Sequence, residues 1–247
     1  MTSTDRVSET RPRRVSFEEV RARLGEPEAL IKAKVHDRID RHFRRFIAHS
    51  PFLAMATSDA TGLPDCSPRG DYPGFVKVLD ERTLAIPDRP GNKLADSFRN
   101  LAENDGIGLM FVVPGVREVL RVNGRAYPTD EPAVLARMQT EGKDAELALV
   151  VEVAEVFFHC GRALIRSRLW DPASQALAEE LPSAGEMAAE QMGADVDPAV
   201  LENMLARGGV HVERAEPRGV SDTVWLPRRG LRQLRGRRHR RGAGASR

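Results

Sequence analysis

The stretch of this 247-residue chain best suited to binding chemistry is Ile86-Pro87-Asp88-Arg89-Pro90-Gly91-Asn92-Lys93. It joins a short apolar strand, Thr83 to Ile86, to a segment from Lys93 to Glu103 that places Leu94, Phe98 and Leu101 on one helical face. A helix that begins here offers the unpaired N–H groups of its first turn and the positive end of its dipole, a combination that attracts anions. Asn92 has the side chain of an N-cap, and Gly91 lets another group approach the backbone closely. Arg89 and Lys93 add two cations, so a phosphate monoester would collect backbone and charge-assisted hydrogen bonds together. The competing reading is an ordinary capped helix whose two cations are solvated.

Ser67-Pro68-Arg69-Gly70-Asp71 forms a second group. Arg69 reaches the same anion if its strand neighbours the one ending at Pro87; alone, Pro-Arg-Gly reads as a loop. His159-Cys160 reads as a packed cysteine beside a capping histidine. One arginine three residues from Cys66 does not mark a reactive thiol. Glu118 and Glu152 read as exterior residues. The six histidines show no Ser/His/Asp arrangement, and two distant cysteines make neither a disulfide framework nor a zinc site, which fits a reducing, cytoplasmic setting.

The elements around these groups are those of a mainly β protein with helical additions. Ser16 and Glu19 form a capping box, and Leu30, Ile31, Val35, Ile39, Phe43 and Ile47 predict one amphipathic helix over Glu28–Ile47, ended at Ser50-Pro51. Short strands follow at regular spacing: FLAMATS, the Asp65–Arg69 segment, GFVKVLD, TLAI, IGLMFVV, EVLRVNGRAYP and ELALVVEVAEVFF. That spacing predicts a barrel or sandwich rather than a parallel sheet. Helices are expected at Glu131–Glu141, Ala163–Leu169, Pro172–Leu181 and Pro198–Arg207. The apolar run 147–158 is broken by Glu152 and Glu155 and is too short to span a membrane, and the N-terminus has no apolar signal segment. Nine of the 38 basic residues and no acidic residue lie from Arg228 onward, leaving 29 basic against 36 acidic residues, a body of about −7. The resulting basic tail reads as disordered, or as the product of a frame change in the gene; only through it would nucleic acid be a partner.

Read in order, SPRGD, IPDRPGN, the Asn104-Asp105 turn, Gly108-Leu-Met-Phe111, Leu120-Arg-Val-Asn-Gly124 and Cys160-Gly-Arg-Ala-Leu-Ile-Arg-Ser-Arg-Leu-Trp170 resemble the pyridoxamine 5′-phosphate oxidase-like superfamily, in particular an SPRGD/IPDRPGN subgroup. The resemblance covers about residues 28–207. It implies an FMN-binding split β-barrel, a homodimer with the cofactor between subunits, and an oxidoreductase acting on a small molecule. Carried over, Arg69, Arg89, Asn92 and Lys93 would hold the phosphate and ribityl chain. Ile86, Pro87 and Asp88 would lie along the ribityl and ring edge, with Ser97 and Asn100 as supports. Arg121 would pass beside the ring, and the partner's Trp170 would pack near it. No metal is implied. The resemblance divides the chain into a polar arm (1–27), the barrel with its N-terminal helix (28–170), a helical extension (171–207) and the basic tail (208–247). Two departures speak against vitamin B6 oxidation: Val119 stands where the authentic oxidase has a flavin-contacting Gln, and the C-terminal Arg-Leu-His motif is missing, its nearest likeness being Arg168-Leu169-Trp170. Deazaflavin F420 on the same fold is the alternative cofactor, with Arg41, Arg44 and Arg45 as extra cations. A flavin-binding or basic-tailed module without turnover is the alternative function.

Overall fold

The computed structural model describes residues 12–139, 144–193 and 197–207, the last four without their side chains; the basic tail lies outside them. Seven strands form one antiparallel sheet: β1 (Phe52–Ser58), β2 (Pro64–Gly70), β3 (Lys77–Val78), β4 (Thr83–Pro87), β5 (Gly106–Val112), β6 (Val119–Thr129) and β7 (Ala148–His159), in the order β2-β1-β5-β6-β7-β4-β3. Alternation along β1 and β5 turns Leu53, Met55, Ile107, Leu109 and Phe111 into the core, where Leu84, Ile86, Leu120, Val122, Val151 and Val156 meet them. Burying each large aliphatic or aromatic side chain stabilises the fold by about 1.5–3 kcal/mol.

Two edges of this sheet would be exposed if it were flat. It curls instead, and two reciprocal ion pairs join the end of β2 to the end of β4, strands that are not neighbours in the sheet. Arg69 NH1 lies 3.5 Å from Asp88 Oδ1, and Arg89 Nε donates to Asp71 Oδ2 at 2.7 Å. Each strand end supplies one cation and one carboxylate. The molecule is a split β-barrel, and this seam is the split.

Helices α1 (Phe17–Leu24) and α2 (Ala29–Lys32) precede α3 (Arg41–His49). The single helix expected over Glu28–Ile47 is thus interrupted at 33–40. His36 exchanges both backbone hydrogen bonds with Val156, which commits it to the edge of the sheet. Asp40 then takes an extended conformation and accepts from the N–H groups of His42 and Phe43, so a new helix starts there. The capping box at Ser16 and Glu19 is present as expected. Of α3, Phe43 and Ile47 are buried, Phe43 packing on Phe158 with centroids 5.2 Å apart.

Helix α4 (Asp96–Glu103) lies across β1 and is pinned by the buried Asn100, whose Nδ2 donates to Thr57 Oγ1 at 3.0 Å. The helix expected at Glu131–Glu141 is reduced to α5 (Pro132–Leu135), followed by turns that bury Met138 against Ala85, Ala145 and Ala148; residues 140–141 lie outside those described. After β7 come α6 (Arg162–Arg166), a 3₁₀ helix (Pro172–Glu180), α7 (Ala184–Met192) and α8 (Pro198–Arg207). The expected helices at 163–169 and 172–181 are therefore shorter or of the tighter type. No helix among the described residues is long and apolar enough to cross a membrane.

Candidate functional site

The seam between β2 and β4 opens into a cleft of about 660 Å³. One wall is β2, whose alternate residues Asp65, Ser67 and Arg69 point inward because side chains alternate along a strand. The second wall is the loop from Asp88 to Ala95, and the floor is the start of α4, with Ser97 and Phe98. The segment Asp144–Glu146 completes the rim. It is held there by β4–β7 pairing and by the Asp88 N–H, which donates to Leu147 O at 2.8 Å.

Hydrogen bonds orient the cations of this cleft and leave part of their capacity unused. Arg69 NH2 donates to Ser97 Oγ at 3.2 Å, and Ser97 Oγ also lies 3.2 Å from Ser67 Oγ. Arg89 is gripped by Asp71 and donates from NH2 to Met138 O at 3.1 Å. Arg69 Nε and Arg89 NH1 are buried and have no acceptor among the described residues. A buried guanidinium N–H without an acceptor costs more than most polar groups do. Two of them, one from each wall of a single cleft, fit an anion that accepts from both.

Asp88 lies between these cations. Burial raises its carboxyl above the ordinary aspartate range, and the opposing pull of Arg69 and of the Arg89 N–H and charge does not offset it. A folded-state value above the unfolded one means that the native state holds the proton more tightly. Its contribution to stability is present below the unfolded pKa and is lost as pH rises through the folded pKa. Asp88→Asn is therefore expected to raise the thermal midpoint at neutral pH, and the gain should vanish as pH falls below the carboxylate range. Melting curves across pH check this; an equal shift at every pH would contradict it.

The anchoring loop differs from the capped helix expected at Gly91–Lys93. Helix α4 begins three residues later, at Asp96, because Lys93 (φ 62°) and Ala95 (φ 56°) adopt left-handed conformations that a right-handed helix cannot contain. Asn92 does not cap α4; its Oδ1 accepts from the Leu94 N–H at 3.0 Å and stabilises the turn before it. Asp96 occupies the first turn and pairs with Arg99 at 2.6 Å, so the dipole end already faces a carboxylate. Side chains, and not the helix terminus, supply the attraction for an anion. At Gly91 an added Cβ would meet nothing closer than Arg89 O at 3.9 Å, so its backbone borders open space.

Residues 39–160 match the family model described as pyridoxamine 5′-phosphate oxidase. The matched segment, which carries all seven strands, resembles the pyridoxamine 5′-phosphate oxidase family. Solved structures of similar fold include HupZ of Group A Streptococcus, with 19% identity over 49% of this chain and 93% of that one and a TM-score of 0.41. A putative pyridoxamine 5′-phosphate oxidase from Lactobacillus delbrueckii aligns with 20% identity over 49% and 95% of the two chains, TM-score 0.38. An FMN-binding protein from Syntrophomonas wolfei aligns with 16% identity over 47% and 82%, TM-score 0.38. No curated protein matches the chain.

Within this barrel, the cleft brings together Arg69, Asp88, Arg89, Asn92, Lys93 and Ser97. The other expected site residues lie elsewhere in the chain. Ile86 and Pro87 are buried and do not line the cleft, because the inward turn of β4 commits Ile86 to the core. Asn100 is buried one helical turn behind Ser97 and acts on α4 through Thr57. Arg121 is on the outer face of the sheet with its guanidinium 5.1 Å from the centroid of Phe157. Trp170 stands apart from its own chain's cleft, its indole N–H donating to Val116 O at 2.8 Å. Cys160, expected to be packed, is exposed because β7 has ended before it; Cys66 is exposed too, at the cleft. Glu118 and Glu152 are exterior as expected. Among the described residues no group of three His, Cys, Asp or Glu side chains could hold a metal.

Sequence reasoning missed Asp71, Asp144 and Glu146. Asp71 stood inside the quoted SPRGD string, and its charge opposite Arg89 was the available signal. Asp144 and Glu146 had none, since pairing of β7 with β4, over 60 residues apart, brings them to the cleft.

Proposed function

We propose that this chain is an FMN-binding flavoprotein, an oxidoreductase acting on a small organic molecule. The observation that carries the reading is the pair of buried guanidinium N–H groups, on Arg69 and Arg89, that lack an acceptor at one cleft. A phosphate monoester supplies acceptors for both, with Lys93, Ser67 and Ser97 within the same cleft. The bound flavin would supply hydride chemistry. The chain's own residues would grip the phosphate, orient the cofactor and shape the substrate slot, a division of labour that needs no conspicuous acid–base side chain.

The absorption spectrum of the purified protein, with mass spectrometry of what denaturation releases, tests this directly. Arg69→Met is expected to weaken FMN binding about 10- to 100-fold, the loss of a charge-assisted hydrogen bond and its partners. A protein that is colourless and stays so with added FMN would sink the reading.

The same reading pairs the chain with a second copy and puts the cofactor at their contact. It is supported by the outer sheet face, where Pro68, Ala54, Met110, Arg121 and Phe157 form one cross-strand row. Met110 is 41% exposed there and Phe52, at the start of β1, is 40% exposed. Met110→Glu places two like charges near a two-fold axis, and light scattering is expected to show a shift from dimer to monomer; a wild-type monomer at all concentrations would refute the pairing.

A further inference from the structure

The rim of the cleft has the opposite charge to its grip. Three cations line it, Arg69, Arg89 and Lys93, against five carboxylates, Asp65, Asp88, Asp96, Asp144 and Glu146. Their pairing is uneven. Asp88 faces Arg69, Asp96 pairs with Arg99, and Arg89 is held by Asp71, from outside the lining. Among the described residues Asp144 accepts from the neutral Gln139 amide, at 2.7 Å, and no described cation forms an ion pair with Asp65, Asp144 or Glu146. Asp144 and Glu146 are exposed, and the hydrogen bond from Asp88 N–H to Leu147 O fixes their segment beside the loop that carries Arg89 and Lys93. A ligand that places one dianion on the arginines therefore shares the cleft with carboxylates that no described cation pairs.

We propose that Asp144 and Glu146 set a charge limit on this cleft, admitting a cofactor with a single phosphate monoester and rejecting one whose phosphate continues into a polyanionic tail. The inference rests on the flavin reading above and deepens it by naming the residues that discriminate FMN from deazaflavin F420. FMN beyond its phosphate is a neutral polyol and ring system. F420 extends from its phosphodiester into several carboxylates, and each meets the rim's field without a counterion. Like charges across about 10 Å repel measurably in water and the effect sums over pairs, while salt screens it on the same length scale. The cations Arg41, Arg44 and Arg45, which an F420 tail would need, are carried by α3 and do not line the cleft.

Fluorescence quenching with FMN and with F420, on the wild type and on Asp144→Asn/Glu146→Gln, tests this at low and high ionic strength. At low salt the wild type is expected to prefer FMN by about tenfold or more. The double variant should raise F420 affinity about tenfold and FMN affinity less than about threefold, and high salt should shrink the difference between the proteins. Both positions are exposed, so the variant is expected to melt as the wild type does. FMN binding with an unchanged FMN-to-F420 ratio in the variant would overturn the charge limit alone. A wild type that binds neither cofactor would overturn the flavin reading, and the charge limit with it.

Discussion

Gly124→Ala is expected to destabilise the barrel by about 3 kcal/mol or more, the upper end of what overpacking costs. A Cβ at this position would stand 2.0 Å from the carbonyl oxygen of Glu152 and 3.3 Å from the Cα of Val153. Both are backbone atoms in the longest strand pairing of the sheet, β6 with β7, so no side chain can rotate away to make room. The register also shifts between Asn123 and Gly124, and a bulge of this kind bends the strand and tightens its twist. The substituted chain must either pull β7 away from β6 or lose the bend that lets the sheet curl toward its seam. Urea unfolding of the two proteins measures the effect. A midpoint within experimental error of the wild type would show that the strands part more easily than the contact implies.

Arg89→Ala is expected to remove both stability and anion binding, for separable reasons. Asp71 and Arg89 are 12% and 17% exposed, and breaking a pair buried to this degree leaves a carboxylate without a counterion, which costs about 3–5 kcal/mol. Ligand binding should fall by at least the 10- to 100-fold expected at Arg69, since NH1 of Arg89 is one of the two donors awaiting an acceptor. The two effects part company in Asp71→Asn/Arg89→Met. Removing the carboxylate with the guanidinium restores most of the thermal midpoint but none of the binding. Arg89→Lys should not rescue binding either, because an ammonium cannot hold Asp71, Met138 O and a ligand in the fixed directions of a planar fork. Equal binding by Arg89→Met and wild type would remove Arg89 from the site; full stability of Arg89→Ala would show that Asp71 is solvated in solution.

Both predictions concern the seam, where the acid and base from each strand end are exchanged. The seam closes the sheet with side chains in place of backbone hydrogen bonds, and such a closure leaves room for a ligand that a continuous ladder would exclude. Asp88 bears the consequence: it is desolvated by the closure and not fully compensated by it.

Local rules were enough for much of this. Short apolar runs set off by turns identified β1, β4, β5, β6 and β7, the capping box located the start of α1, and the concentration of Arg89, Asn92 and Lys93 after a strand pointed to a loop that lines the cleft. Each of these signals is a property of neighbouring residues, so the amino-acid order alone determines it. Three matters were settled only in the folded chain. Whether Gly91–Lys93 begins a helix was decided by left-handed turns that position the loop around the cleft, and whether Glu28–Ile47 is one helix was decided by His36 pairing with Val156. Which charges share the cleft was decided by the curl of the sheet, which brings Asp71 to Arg89, and by the pairing of β7 with β4, which brings Asp144 to the same rim. Chain order records the charges, but their compensation depends on distance, and distances between remote residues exist only once the sheet has closed.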